Sequence, residues 1–551
     1  MAPMAFENVA GRRLVGGRWI RWDDARAGAA YDGGWWTRDT MGAALERAAR
    51  ETPDRVLLID GAHQVDCRGL HRDARALANA MVARLEPGSV ISFMLPNWHE
   101  AATIYFAATL AGMVVHPILP SLREADLAFM LPDIASRMIF IPAEFRDRDF
   151  RAMLADVCGK IDNPPEVVVL RGDAPGQTAY DDLLRQVRDG APPLPEVDPD
   201  AVRMILYTSG TTGTPKGVMH SQNSIHALVR QLGEHWLIEP GDVFLVPSPV
   251  SHIGGSIYAF EIPILRGTSA VLMERWEPDA AVELIGKYRC THTAGATPFL
   301  EQLLAAAVRA DDRLSSLKLF ICGGAAVPPT LVQAAASHFE RAIVTRVYGS
   351  TEVPVITVGT IDPADVAHAS LTDGRCGVAE VKLANHLAAT GAGEGEIYAR
   401  GPQMLVGYIH PEDEAGLFDS DGFYRTGDLG RWVDGEFLVI SGRAKDIIIR
   451  NGENISPKEI EDALAGHPDI AEIAVVGLPD PRTGERACAV VAPAAGAEPR
   501  LDTLVSFLKG KGVASFKLPE QLAVWDALPK NATGKILKHE IRAALIAAGE
   551  R

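Results

Sequence analysis

The sequence predicts an α/β protein. It has a large N-terminal domain of two α/β units with a small β-rich subdomain at about 355–440, and a small C-terminal domain. Three observations carry this. Helical and strand-like stretches alternate from Thr40 to about Pro354, as in a mainly parallel sheet covered by helices. After Pro354 glycine and charged residues become frequent, and short alternating segments replace the helical runs. Beyond the polar junction 441–446 a tail of roughly 105 residues remains, enough for a separate domain. At 551 residues the chain exceeds one compact core.

In order, residues 41–50 read as a helix, 55–59 as a strand, 70–85 as an amphipathic helix and 89–95 as a strand. The uncharged apolar run 101–120 approaches membrane-spanning length. Gly112 and His116-Pro117 interrupt it, so a buried helix from His99 and a short strand near Val114 are expected instead. A strand at 167–170 and a Pro-rich connector at 191–199 follow. The run 202–206 reads as a strand, 223–237 as a helix and 243–246 as a strand. A second α/β unit runs through 280–285, 292–294, 298–307 and the strand 317–322, which ends at the turn 323–326. Segments 395–399 and 435–440 alternate like antiparallel strands. The tail is built from 459–465, 470–476, 487–491, 501–509 and 540–547.

Hydrophobic residues make up 47% and charged residues 23%, which is ordinary for a globular protein. The net charge of −17 argues against nucleic-acid binding and against docking on anionic membranes, yet leaves room for a local basic nucleotide site. The six cysteines form no CxxC pair, so neither a zinc site nor a disulfide framework is indicated. Residues 1–24 contain no apolar segment leading to a cleavage signal. A cytoplasmic location without an integral membrane segment is expected.

Four motifs carry chemistry. The run from Tyr207 to Gly217 packs glycines, hydroxyls and Lys216 together, the makings of a polyphosphate cradle. It is not a Walker loop, because Lys216 follows Pro215 and precedes Gly217. Tyr348 to Glu352 supplies an aromatic face, Gly349 for close approach, hydroxyls and a carboxylate that could hold a phosphate-bound metal. Tyr424 to Asp428 sets a carboxylate on a turn, suited to ribose hydroxyls. Pro529 to Lys538 is a basic corner of an acidic chain.

In this order the motifs resemble the adenylate-forming superfamily of acyl-CoA synthetases, peptide-synthetase adenylation domains and luciferases, from about Thr40 to Arg542. The texture is most like bacterial ligases of the cyclohexanecarboxylate-CoA ligase or medium-chain type. The resemblance implies an ATP-dependent carboxylic acid–CoA ligase working through an acyl-adenylate. Loading of a carrier protein, or luciferase-like oxidative use of the adenylate, is the alternative. It implies ATP, Mg²⁺ and coenzyme A with a small-molecule acid as partners, no nucleic acid, and leaves a homodimer open. It also implies a β-barrel-like middle subdomain and a mobile α+β C-terminal domain: N-terminal domain 1–442, hinge 443–446 with Lys445, mobile domain 447–551.

By the same resemblance, Thr208, Ser209, Gly210, Thr211, Thr212, Gly213 and Lys216 would cradle the β- and γ-phosphates. Thr351 would bond the α-phosphate and Glu352 would hold Mg²⁺. Gly324, Ala325, Ala326, Tyr348 and Gly349 would line the nucleotide and acyl pocket. Asp428 would take the ribose and Arg443 would support it. Lys535 would be the catalytic lysine, and Gly452 would line the pantetheine tunnel. His252 would stand between acyl pocket and tunnel. Ser251-His252 stands where peptide-synthetase domains carry an Asp for the substrate ammonium, so an amino-acid substrate is disfavoured, and the run 253–260 suggests an apolar pocket.

Overall fold

The structure, a computed structural model, describes residues 11–185, 193–208, 215–324, 327–384, 393–530 and 535–549. Two large sheets form the N-terminal part. In the eight-stranded one, six strands from Thr178–Ala179 across to Val202–Thr208 run parallel, and Lys216–Ser221 and Gly407–Tyr408 then add antiparallel. In the seven-stranded one, six parallel strands run from Ile343–Val347 across to Val56–Asp60, with His63–Asp66 antiparallel at the edge.

One core cluster takes residues from both sheets, Phe93 and Met204 from the first and Phe244 and Leu272 from the second. Helices Cys67–Val82, His99–Leu110 and Gln222–His235 also feed it. His99–Leu110 is buried on every side from Ala101 to Thr109, which is why it lacks a polar face. The apolar run 101–120 is thus this helix plus the strand Val114–Pro117. Among the described residues no helix is long and apolar enough to cross a membrane.

A six-stranded antiparallel sheet follows, from Thr357–Gly359 at one edge to Glu380–Ala384 at the other. A short helix, Val366–Leu371, interrupts the region where helices were not expected. The junction 441–446 also differs from expectation: its first three residues complete the strand Phe437–Arg443, and only Ala444–Asp446 leave it as a single 3₁₀ turn. The C-terminal sheet contains Ile448–Arg450, Glu453–Ile455, Ile470–Asp480, Gly484–Pro493 and Gln521–Val524, with its own apolar core around Ile460, Leu464, Val475 and Leu504. An N-terminal hairpin, Arg12–Val15 with Arg18–Arg21, was not foreseen. Arg12 and Arg21 both grip Glu414, at 2.7 and 2.8 Å.

Candidate active site

The motif residues gather where parallel strands end, the usual binding edge of an open α/β sheet. Thr208 closes Val202–Thr208, Gly324 follows Leu319–Gly323, and Tyr348 follows Ile343–Val347. The Thr/Gly run joins two antiparallel strands, because Thr208 pairs with Lys216 across Val202–Thr208 and Lys216–Ser221. Ser209, Gly210, Thr211, Thr212, Gly213, Ala325 and Ala326 lie outside the described residues.

Asp428 is the hub. Strand register sets it directly opposite Arg443, whose Nε stands 2.9 Å from Asp428 Oδ1. Tyr348 Oη donates to Asp428 Oδ2 at 2.7 Å. Burial, together with that carboxylate, raises the phenol's pKa and keeps it protonated. Strands from two sheets therefore converge on one carboxylate.

Glu352 is buried, and its Oε1 accepts from Tyr408 Oη at 3.0 Å; Tyr408 Oη in turn meets Tyr424 Oη at 3.0 Å. Thr351 is placed from behind: buried His220 holds its carbonyl through Nε2 at 2.7 Å, and desolvation pushes that imidazole down to about 4. Gly349 has a structural reason of its own. A Cβ there would stand 2.4 Å from Val355 N, so what approaches closely is the chain's own next turn.

Lys535 is solvent-accessible, yet the protein crowded around its ammonium and the nearby Arg443 charge push its pKa down to about 8, while Asp428 and Asp446 pull the other way. The lysine of the C-terminal segment is thus near enough to feel the charges of both Asp428 and Arg443. His252 likewise is open to solvent but desolvated by surrounding protein, which lowers its pKa and favours the neutral ring; its Nδ1 accepts from Gly254 N at 3.3 Å. From His252, the run Ile253 to Phe260 turns inward, with Ile257, Ala259 and Phe260 almost fully buried.

Gly452 is placed differently. Asn451 and Gly452 have φ of +53° and +82° and join two short antiparallel strands, the Asn-Gly turn that such a hairpin favours. The turn is exposed, with nothing within 4 Å of where a Cβ on Gly452 would stand.

Three site neighbours escaped the sequence: Asp413, Tyr408 and Tyr424 in their bracing roles. Lys216 Nζ pairs with Asp413 Oδ1 at 3.2 Å and with its carbonyl at 3.3 Å. A polyphosphate must compete with this half-exposed pair. Asp413→Asn is expected to lower the KM for ATP a few-fold, since such pairs are worth about 0.2–1 kcal/mol; initial rates against ATP concentration check it.

A separate cluster, Asp60, His99 and Glu100, has metal-ligand types within 4.8 Å of one another. Arg171 already fills that place, at 2.8 Å from Asp60 and 2.7 Å from Glu100.

The fold and this set of site residues define an adenylate-forming enzyme. The AMP-binding enzyme family matches residues 45–409, and the AMP-binding enzyme C-terminal domain matches 459–535. The chain belongs to that family, the adenylate-forming superfamily, and is an acid–thiol ligase of the AMP-forming class. It is 34% identical to the medium-chain fatty-acid–CoA ligase of Escherichia coli (strain K12), over 95% of this chain and 93% of that one. It is 31% identical to the salicyl-AMP ligase / salicyl-S-ArCP synthetase of Mycobacterium tuberculosis (strain ATCC 25618 / H37Rv), over 94% and 92%. The ATP-bound crystal structure of MatB from Rhodopseudomonas palustris superposes with a TM-score of 0.80 at 26% identity, covering 92% of this chain and 99% of that one.

Proposed function

We propose that this chain is an ATP-dependent carboxylic acid–CoA ligase acting through an acyl-adenylate, with an apolar medium-chain, alicyclic or aromatic acid as substrate. The observation that supports the mechanism is that Lys535 feels the charges of Asp428 and Arg443, which pair with each other. In the first half-reaction the carboxylate attacks the α-phosphorus of ATP and pyrophosphate leaves. Lys535 supplies positive charge where negative charge builds up, Asp428 accepts from the ribose hydroxyls, and Arg443 and Tyr348 hold that carboxylate in place. Lys216, Thr208 and the loop between them grip the departing phosphates, and Thr351 donates to the α-phosphate.

The donor set suits Mg²⁺, which binds through one or two carboxylates plus substrate phosphates. Glu352, whose Oε1 accepts from Tyr408, would hold it, and the ion would neutralise charge on the phosphates.

In the second half-reaction the CoA thiol displaces AMP. The proposed hinge is 443–446, which includes the 3₁₀ turn Ala444–Asp446; it joins domain 1–442 to domain 447–551, and about it the exposed Gly452 turn exchanges with Lys535. Ser251-His252 and the buried run after it offer no carboxylate for an α-ammonium, which supports an apolar acid. The 34% identity to a medium-chain fatty-acid–CoA ligase supports the same class.

The test is a panel of carboxylates with ATP and Mg²⁺, with and without CoA, following AMP and thioester. Thioester formed only with CoA supports the reading. Adenylate that accumulates regardless of CoA moves the enzyme to the carrier-loading class. A pH prediction accompanies it. Lys535 loses its proton above about pH 8 in the free enzyme, so kcat/KM for ATP in the adenylation step should fall as pH rises through 8, approaching about tenfold per unit. In Lys535→Arg, whose guanidinium stays charged, that limb should vanish, at a lower absolute rate.

A further inference from the structure

We propose that a buried cluster of Arg203, Glu261 and Tyr105 is a polar stop at the inner end of the acyl pocket, fixing the longest chain the enzyme accepts. This rests on the reading that the acid lies along residues 253–260.

The acyl wall is one helical segment: Ile253–Ser256, a π-helical turn Ile257–Glu261, then Ile262–Arg266. Ile253, Ile257 and Glu261 recur at four-residue spacing, so they share a stripe. Exposure falls along it from 5% to 1% to 0%. At no more than about 1.5 Å per residue, Glu261 stands at most roughly 12 Å along the segment from Ile253. The stripe starts apolar and ends ionised. Single π turns concentrate at functional sites, and this one sits at the change of polarity.

Elements from both sheets lock the end in place. Arg203, on the strand that leads into the Thr/Gly loop, pairs with Glu261, and Tyr105 donates to the same carboxylate oxygen. The Tyr105 ring packs on Phe260 at 4.9 Å. A buried pair of this kind gains little over apolar residues of equal size. What it supplies here is a boundary.

The boundary has unused bonding capacity. Glu261 Oε2 and Arg203 Nε and Nη1 have no hydrogen-bond partner among the described residues. A cavity of about 50 Å³, bordered by Thr37, Asp39, Gln222 and His226 and by none of residues 253–260, is large enough for water and adjoins Glu261. An apolar chain end reaching it would strip water from a charge and return no hydrogen bond. A chain ending in a hydroxyl would donate to Oε2.

The experiment measures thioester formation from straight-chain acids of increasing length, with ATP, Mg²⁺ and CoA. Wild type should lose about tenfold or more in kcat/KM at the limiting length, the scale of one misfitted methylene. Arg203→Met/Glu261→Leu keeps volume and removes both charges. It should move that limit out by about two carbons, each methylene being worth several-fold in transfer, with the KM for ATP unchanged. On the wild-type enzyme, a terminal hydroxyl on the first rejected acid should restore about tenfold, and the double variant should lose this rescue.

Gly254→Leu is the control for the acyl wall, since a Cβ there has room, meeting only the His252 ring at 3.5 Å and Tyr258 at 3.8 Å. It should depress use of every acid. If Gly254→Leu does so while the double variant keeps the wild-type length profile, the stop is wrong and the acyl wall stands. If Gly254→Leu leaves acid use untouched, the acid lies elsewhere and both fall. Should the double variant not fold, absence of hydroxyl rescue in wild type overturns the stop.

Discussion

Lys535→Ala should abolish acyl-adenylate formation while thioester formation from supplied acyl-AMP survives. Lys535 feels the charges of Asp428 and Arg443, so its ammonium is proposed to serve the step in which phosphate charge redistributes. Removing one preorganised stabiliser of such charge typically costs about 10²–10³ in kcat. The second step breaks the acyl–phosphate bond after the proposed domain rotation has carried Lys535 away, so the same truncation should cost it little. Pyrophosphate release reads the first step, and CoA consumption from synthetic acyl-AMP reads the second. Equal loss in both, with the protein folded, would mean that Lys535 has been given the wrong role. Lys535 is exposed and its truncation opens no core cavity, so a thermal melt run beside the assay should show an unchanged Tm.

The sequence carried the architecture further than it carried the site's wiring. Helices 41–50 and 223–237 and strands 202–206 and 243–246 were legible because periodicity is local. The antiparallel strand Lys216–Ser221 was not. It opens with Lys216-Gly217 and ends on His220-Ser221, so it lacks the apolar run of the strands before it. Its polar residues are buried because they are used: His220 holds the Thr351 carbonyl and also meets Ser224 Oγ at 3.1 Å. Gly217 belongs to that pairing too, since a Cβ on it would collide with Ile409 at 2.0 Å.

The resemblance named Asp428 and Arg443 separately. Register alone makes them a pair, and register is a property of two strands at once. Lys216 and Asp413 lie nearly 200 positions apart, and no local pattern links them. Arg203 is the one polar residue of the run 202–206, and its partner Glu261 directly follows the apolar run 253–260. Charged residues inside apolar runs, taken in pairs, were the available signal.

Asp428 should prove the second most sensitive position, for two separable reasons. Its carboxylate is the proposed ribose acceptor, and a hydrogen bond to a charged group contributes about 1.5–3 kcal/mol, so Asp428→Ala should raise the KM for ATP by roughly 10- to 150-fold. The carboxylate also sets the local field. Arg443 lowers the Lys535 pKa and Asp428 raises it. Loss of Asp428 leaves Arg443 uncompensated beside the lysine, and the Lys535 pKa must fall below about 8. The alkaline limb of kcat/KM for ATP should then move to lower pH. Asp428→Asn separates the two effects. The amide oxygen can still accept from a ribose hydroxyl and from Tyr348 Oη, so the KM for ATP should rise less than in the alanine variant. The negative charge is gone in both, so the limb should shift in both. An unmoved limb in Asp428→Asn would show that Asp428 does not tune Lys535, and would confine its part in catalysis to holding the nucleotide.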